Sequence, residues 1–289
     1  MTEPLSQNGL IPAEDLFYLL GGTEKIKVLD ATFASIGGMS PYQAFLGQRI
    51  EGAQFFDIDV VADQESSLPH MLPTPEYFAD CVSAIGISND DHIVVYDQSG
   101  AYMAASRVWW MFRTFGHKNV YVLEGGLQMW KARGFHVTSG PIAAPEPGSF
   151  KSDFRSDLVV SRNDVLDNIE TNQFLLIDAR AAGRYNGTAP EPRPGMRSGH
   201  IPKSVNLPFT DTIDPHSTYI KSDSALEDIF TMRELAPDAK LAVLCGSGVT
   251  ACTLALALYK SRRQEAAIYD GSWSEWGVEG AGTPVEVSA

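Results

Sequence analysis

The stretch LAVLCGSGVTACTLALALYKS, residues 241–261, decides how the chain is read. Leu241 to Leu244 is a short apolar run, and Thr250 to Tyr259 is a longer one that closes on Lys260, Arg262 and Arg263, cations suited to a helix C-terminus. The pattern predicts strand, tight loop, helix. Cys245 stands where the strand ends, and Gly246-Ser247-Gly248 lets the backbone curl so that the amides up to Val249 and Thr250 face the sulfur. Such donors, with the positive end of a helix behind them, favour an anion, so the thiol is expected to ionise more readily than the roughly 8.5 of a free cysteine. A thiolate in that setting is a nucleophile, and the same amides can hold an anionic donor. A cysteine at a strand end can equally be a small buried hydrophobe. Two glycines, a serine and a helix start within five positions argue for the nucleophile.

The chain has 289 residues, 44% hydrophobic, enough for two cores of ordinary size. Its formal charge of −14, from 22 basic and 36 acidic residues, repels polyanions, so nucleic acid is not an expected partner. The apolar run near Leu254–Tyr259 is far short of a membrane span, and the N-terminal MTEPLSQNGLIPAED lacks a basic start, a signal core and an Arg-rich amphipathic pattern. No membrane association and a cytoplasmic location are expected. Cysteines at 81, 245 and 252 form neither a disulfide framework nor a Cys-x-x-Cys zinc motif, so no metal or cofactor is called for.

A repeat of about half the chain organises the rest. IKVLDATF (26–33) lies over LLIDARAA (175–182), with Asp178 148 residues after Asp30. HIVVYDQSG (92–100) lies over the strand and loop of the opening stretch, with Asp97 in the place of Cys245. VYVLEGGLQMW (120–130) corresponds to AAIYDGSWSEW (266–276) and pairs Trp130 with Trp276. The first half reads as helix 13–20, strand 26–30, helix 75–85, strand 92–96, helix 103–115, strand 119–123 and helix 126–133. The second reads as helix 162–170, strand 174–178, helix 223–235, strand 241–245, helix 250–260 and strand 266–269. The alternation predicts an α/β fold, a parallel sheet in each half with helices on both faces and sites beyond the C-terminal strand ends. The Pro- and Gly-rich SGPIAAPEPGSFKSDF (139–154) excludes a regular element. We therefore divide the chain into residues 1–140, a linker 141–155, and residues 156–289.

Two long loops interrupt the regular spacing: FDIDVVADQESSLPHMLPT (56–74) and GRYNGTAPEPRPGMRSG (183–199). Loops of this length in compact domains are commonly functional or mobile. The second carries Arg184, Arg193 and Arg197, which read either as solvated loop charge or as a carboxylate clamp.

Taken together, CGSGVTAC (245–252), FFDID (55–59), HMLP (70–73), RVWWMFRTFGH (107–117), EPRPG (191–195), SGHIP (198–202) and DGSWSEW (270–276) resemble the tandem-domain rhodanese-fold sulfurtransferases, above all those that use 3-mercaptopyruvate. The resemblance implies two tandem rhodanese-like domains, of which only the second is catalytic. It implies that Cys245 takes sulfur from a donor as a persulfide and passes it to a thiol acceptor, such as thioredoxin or a small thiol, or to cyanide. It also implies that Arg184 and Arg193 hold the carboxylate and ketone of 3-mercaptopyruvate, with Gly246, Gly248, Val249 and Thr250 lining the donor. Arg197 lies outside the matched positions. Ser247 is then a proton relay, and His70, oriented by Asp59, acts on Ser247 or on the donor thiol; His70 also reads as a loop histidine bonded to backbone.

Members of this fold that prefer thiosulfate carry Arg and Lys after the cysteine, where this chain has uncharged Gly246 and Ser247. A thiosulfate-specific enzyme is the nearest alternative, and a persulfide carrier without turnover is the non-enzymatic one. A phosphatase of related fold needs an arginine six positions after the cysteine, where this chain has Ala251. Cys252, two helical turns and roughly 10 Å along from Cys245, reads as packing and not as a resolving thiol. Cys81, Trp109, Trp110, Trp273 and Trp276 also read as packing. Lys203 stands where the family usually has glycine.

Overall fold

A computed structural model describes residues 5, 8–100 and 102–288. The chain forms two compact units. The first runs to Gln64 and takes in Leu72–Arg155 and Pro215–Tyr219; the second holds Glu65–Met71, Ser156–Asp214 and the chain from Ile220 onward.

The first unit contains β1 (Leu10–Ile11), α1 (Ala13–Leu20), β2 (Ile26–Asp30), α2 (Pro41–Gly47), β3 (Arg49–Ile50), β4 (Gln54–Phe55), α3 (Pro75–Ala84), β5 (His92–Tyr96), α4 (Met103–Thr114), β6 (Val120–Leu123), α5 (Gly126–Ala132) and β7 (Val137–Thr138). The second contains β8 (Val159–Val160), α6 (Arg162–Thr171), β9 (Leu175–Asp178), α7 (Ala182–Tyr185), β10 (Val205–Asn206), α8 (Asp223–Met232), β11 (Leu241–Leu244), α9 (Val249–Arg262), β12 (Ala267–Tyr269) and α10 (Ser272–Trp276). The parallel sheets run β1-β6-β5-β2-β4 and β8-β12-β11-β9-β10, one topology used twice. In both sheets the two-residue strands lie at the edges, where a short exposed ladder gives little purchase for another chain.

The repeat seen in the sequence is a repeat of register. Asp30 pairs with Tyr96 and Asp178 with Leu244, the same positions one repeat apart. The Ala31 N–H donates to Tyr96 O at 2.8 Å, and the Ala179 N–H to Leu244 O at 2.8 Å. Each strand-end aspartate then turns the chain by accepting the N–H two residues on, from Thr32 at 2.9 Å and from Arg180 at 2.9 Å. Trp130 and Trp276 both spend their indole N–H on a backbone carbonyl, of His136 and Pro284, at 2.8 Å.

Central strands β6, β11 and β12 are apolar throughout and buried, and β5 is so from Ile93 to Tyr96, as expected where helices cover both faces. The first core gathers Phe45, Val94, Tyr96, Leu127 and Trp130, the second Leu176, Leu244, Tyr269, Trp273 and Trp276. Each fully buried side chain of Leu or Ile size contributes about 1.5–3 kcal/mol. Helix α9 is buried on every side from Ala251 to Leu258 and needs no polar face. Cys252 lies inside it, donating to Gly248 O at 3.2 Å. Helix starts are fixed by local chemistry: Ser161 and Asp164 form a capping box on α6, and Thr74 caps α3 with Pro75 at its first position. Helix α8 ends at Met232 because Glu234 turns to φ +58°, short of the expected residue 235.

Residues 139–155 hold no regular element, and they are stitched to the first unit. Ser83 O accepts the Gly148 N–H at 2.8 Å, Asn89 exchanges hydrogen bonds with Lys151, and Phe115 O and Thr114 O accept the N–H groups of Asp153 and Arg155. Phe150 packs its ring 5.8 Å from that of His117, which is 3% exposed and also lies 5.8 Å from Phe112.

Burial pushes the His117 imidazole below its ordinary 6.5, against smaller upward pulls from the backbone near Asn119 and Asp91 and from the Asp91 charge, with His92 adding to the fall. A histidine depressed in the fold stabilises it above the unfolded pKa and loses that contribution as pH falls through the folded one. In His117→Phe the drop in Tm between about pH 7.5 and about pH 5.5 is therefore expected to be smaller than in the wild type, measured by calorimetry at matched ionic strength.

Candidate active site

Cys245 follows β11 directly, in the loop that leads into α9. Gly248 turns the chain at φ +74° and is the N-cap of α9 without a side-chain cap. The amides of the first turn, beginning at Val249 and Thr250, thus have no side-chain acceptor at the cap, which leaves donors for an anion at the loop. The loop is held from the far side by α10. Ser272 Oγ accepts the Cys245 N–H at 3.1 Å, Cys245 O accepts from Trp273 N at 3.0 Å, and Gly246 O accepts from Ser274 N at 2.9 Å and Ser274 Oγ at 2.5 Å. The Cys245 residue is 2% exposed.

The two expected clamp arginines reach this loop. A Cβ on Gly246 would sit 3.3 Å from Arg184 Nη2 and 3.8 Å from Nη1, so the guanidinium lies over the loop backbone. Arg193 Nη1 donates to Ser274 Oγ at 3.0 Å and is tied through that hydroxyl to Gly246 O. Arg197 does something else: its guanidinium binds Trp276 O and Thr283 O at 2.7 Å and Thr283 Oγ1 at 2.5 Å, anchoring backbone. Ser247 is half-buried within the loop, between Gly246 and Gly248. Asp59 is exposed in the first unit, in a turn where its N–H donates to Asp57 Oδ1 at 2.9 Å. His70 sits at φ +60° in the stretch Glu65–Met71, which belongs to the second unit. Lys203 occupies φ +63°, the left-handed region glycine would fill without strain, at a cost of about 1–2 kcal/mol.

Sequence reasoning missed the groups that hold Arg184. Arg180 lies between Asp178, at 2.6 Å, and Glu191, at 2.9 Å, with its guanidinium 3.9 Å from the Trp273 ring centroid. Glu191 grips Arg184 by two bonds, from Nε at 3.1 Å and Nη2 at 2.5 Å. The available signal was the repeat itself, which sets Arg180 over Thr32. Among the described residues, no group of three or more His, Cys, Asp or Glu side chains could hold a metal ion.

The first unit carries the loop in a closed form. Asp97, in the place of Cys245, turns its carboxylate onto its own loop: Oδ1 accepts Ser99 N at 3.0 Å and Ser99 Oγ at 2.5 Å, and Oδ2 accepts Ala105 N at 3.2 Å. An internal anion thus occupies the donors of that loop.

The sequence profile of the rhodanese-like domain matches twice, over residues 15–133 and 161–279. A thiosulfate/3-mercaptopyruvate sulfurtransferase of Arabidopsis thaliana is 42% identical over 94% of this chain and 85% of its own. A Bos taurus thiosulfate sulfurtransferase is 44% identical over 87% and 84%, and a Rattus norvegicus 3-mercaptopyruvate sulfurtransferase 39% over 88% and 86%. The crystal structure of SseA, a 3-mercaptopyruvate sulfotransferase from Escherichia coli, superposes with a TM-score of 0.81 at 37% identity, covering 92% of this chain and 99% of that one. The chain belongs to the rhodanese-like family in its tandem form, and it is an enzyme of the sulfurtransferase class.

Replacing Ser272 by alanine leaves the Cys245 N–H without its acceptor in a fully buried setting. The expected loss is about 1–3 kcal/mol of unfolding free energy, read from urea midpoints at unchanged m-value.

Proposed function

We propose that this enzyme moves sulfur from 3-mercaptopyruvate, through a persulfide on Cys245, to a thiol acceptor such as thioredoxin or a small thiol, or to cyanide. The observation that carries the reading is where the positive charge lies. No cation follows Cys245, while Arg184 overlies Gly246 and Arg193 is tied to the loop through Ser274. A keto acid has its carboxylate away from the reacting sulfur and needs its cations there; thiosulfate is a compact dianion that needs them at the sulfur.

In the forward half-reaction the Cys245 thiolate attacks the donor sulfur, a sulfur–sulfur bond forms and the donor's carbon–sulfur bond breaks. The bonding pair passes to carbon as the enolate of pyruvate, which takes up one proton and leaves as pyruvate. In the second half an acceptor thiolate or cyanide attacks the outer sulfur and returns Cys245 as thiolate. Guanidinium and amide donors preset around the developing enolate lower the barrier electrostatically. Ser247, His70 and Asp59 are the proton-handling residues of this proposal, with Gly246, Gly248, Val249 and Thr250 lining the donor. Thiosulfate is the second reading, favoured by the thiosulfate sulfurtransferase of Bos taurus at 44% identity.

Steady-state assays with the two donors and cyanide as acceptor decide between them: the expected result is a higher kcat/KM with 3-mercaptopyruvate, and a higher value with thiosulfate overturns the donor assignment. Cys245→Ser is expected to abolish transfer. Arg184→Ala and Arg193→Ala are each expected to lower kcat/KM for 3-mercaptopyruvate by about tenfold or more, and a change within about twofold removes that arginine from the clamp. Mass spectrometry after incubation with donor separates an enzyme from a carrier, since a carrier gains one sulfur without continuing release of pyruvate.

A further inference from the structure

The two copies of the fold differ at the strand end in a way that bears on donor choice. In the first copy Asp30 is satisfied by neutral groups: Thr32 N at 2.9 Å, Thr32 Oγ1 at 2.5 Å and Gln98 Nε2 at 2.9 Å. In the second, Arg180 keeps the same backbone turn and adds a guanidinium, which binds both Asp178 oxygens, Gly199 O at 2.7 Å and Glu191 Oε1 at 2.9 Å. Glu191 Oε1 is shared with Arg184 Nε, and Oε2 accepts Arg184 Nη2. The result is a row of alternating charges, Asp178, Arg180, Glu191, Arg184, whose formal sum is zero. All but Arg184 are 4% exposed or less at the side chain, and Arg184, at 25%, is the end that lies over Gly246.

Two consequences follow for Arg184. Its Nε–Nη2 edge is spent on Glu191, so a donor meets the Nη1 side. Its charge is also already matched by the carboxylate behind it. Arg193 differs, since its hydrogen bond goes to a hydroxyl and no carboxylate lies within ion-pair distance of it among the described residues.

We propose that Glu191 is a positioning and specificity-determining residue: it sets the Arg184 guanidinium over Gly246 and tempers its charge, so that the loop favours a monoanionic keto acid over a dianion. The inference rests on the donor reading given under Proposed function. Removing one negative charge beside the site changes the field by one unit, and a dianion gains about twice what a monoanion gains. Loss of the fork also frees Arg184 to swing, which harms the donor that needs it in one place.

The test uses the purified full chain with thiosulfate and 3-mercaptopyruvate as donors and cyanide as acceptor. In Glu191→Gln the ratio of kcat/KM for thiosulfate to that for 3-mercaptopyruvate is expected to rise by about tenfold, with the thiosulfate change in KM. Glu191→Asp, which keeps the charge, is expected to return most of that shift; a purely structural lesion would lower both donors together and would not be returned. If the amide variant does not yield folded protein, Glu191→Met, similar in length and uncharged, is measured in its place with the same expected ratio. A wild type that uses both donors with the ratio unmoved within about twofold in the uncharged variant overturns the assignment to Glu191 and leaves sulfur transfer standing. A wild type that uses neither donor overturns both.

Discussion

The ion pair of Asp178 and Arg180 sits at the C-terminal end of a central strand with neither side chain open to solvent. Enclosing two charges is costly, and their attraction offsets that cost only where every remaining donor and lone pair is used. Here most of them are: Arg180 also holds Gly199 O and Glu191 and lies against Trp273, while Asp178 takes the Arg180 N–H as well as its side chain. One buried contact therefore fixes the turn after β9, the long loop that carries Arg193, and the α10 face that holds the Cys245 loop. Removing one partner of such a pair typically costs about 3–5 kcal/mol, because the other is left charged and unmatched.

The two units show what a duplicated fold can do with one loop. A carboxylate at residue 97 folds back on its own amides and satisfies them, so the first loop is finished in itself. Residue 245 carries no carboxylate to do the same, and the start of α9 has no side-chain cap. The same strand register and the same turn thus support a closed structure in one half and a candidate site in the other. The difference lies in a few side chains and not in the backbone plan.

The central strands and most helices were legible because each carries a long enough run of one periodicity. Strand β2 falls on Ile26–Asp30 and β5 on His92–Tyr96, as their apolar runs indicate. The two-residue edge strands and the short helices α7 and α10 were not legible, since so few residues express no period. In the site, Cys245 was marked by its glycines, and Arg184 and Arg193 by the motifs around them. Arg180, Glu191, Ser272 and Ser274 were not marked as functional, because what matters about them is distance across the fold. Arg197 shows the converse: a basic residue in the same loop, indistinguishable by composition, whose guanidinium is spent on carbonyls.

Gly246 and Arg184 also constrain the history of this loop. Any side chain at 246 brings a carbon to 3.3 Å from Arg184 Nη2, the same nitrogen that Glu191 holds, so that group must yield by a few tenths of an ångström against its own ion pair. The two positions are epistatic. A larger residue directly after the cysteine is accommodated only if the arginine is released first or at the same step.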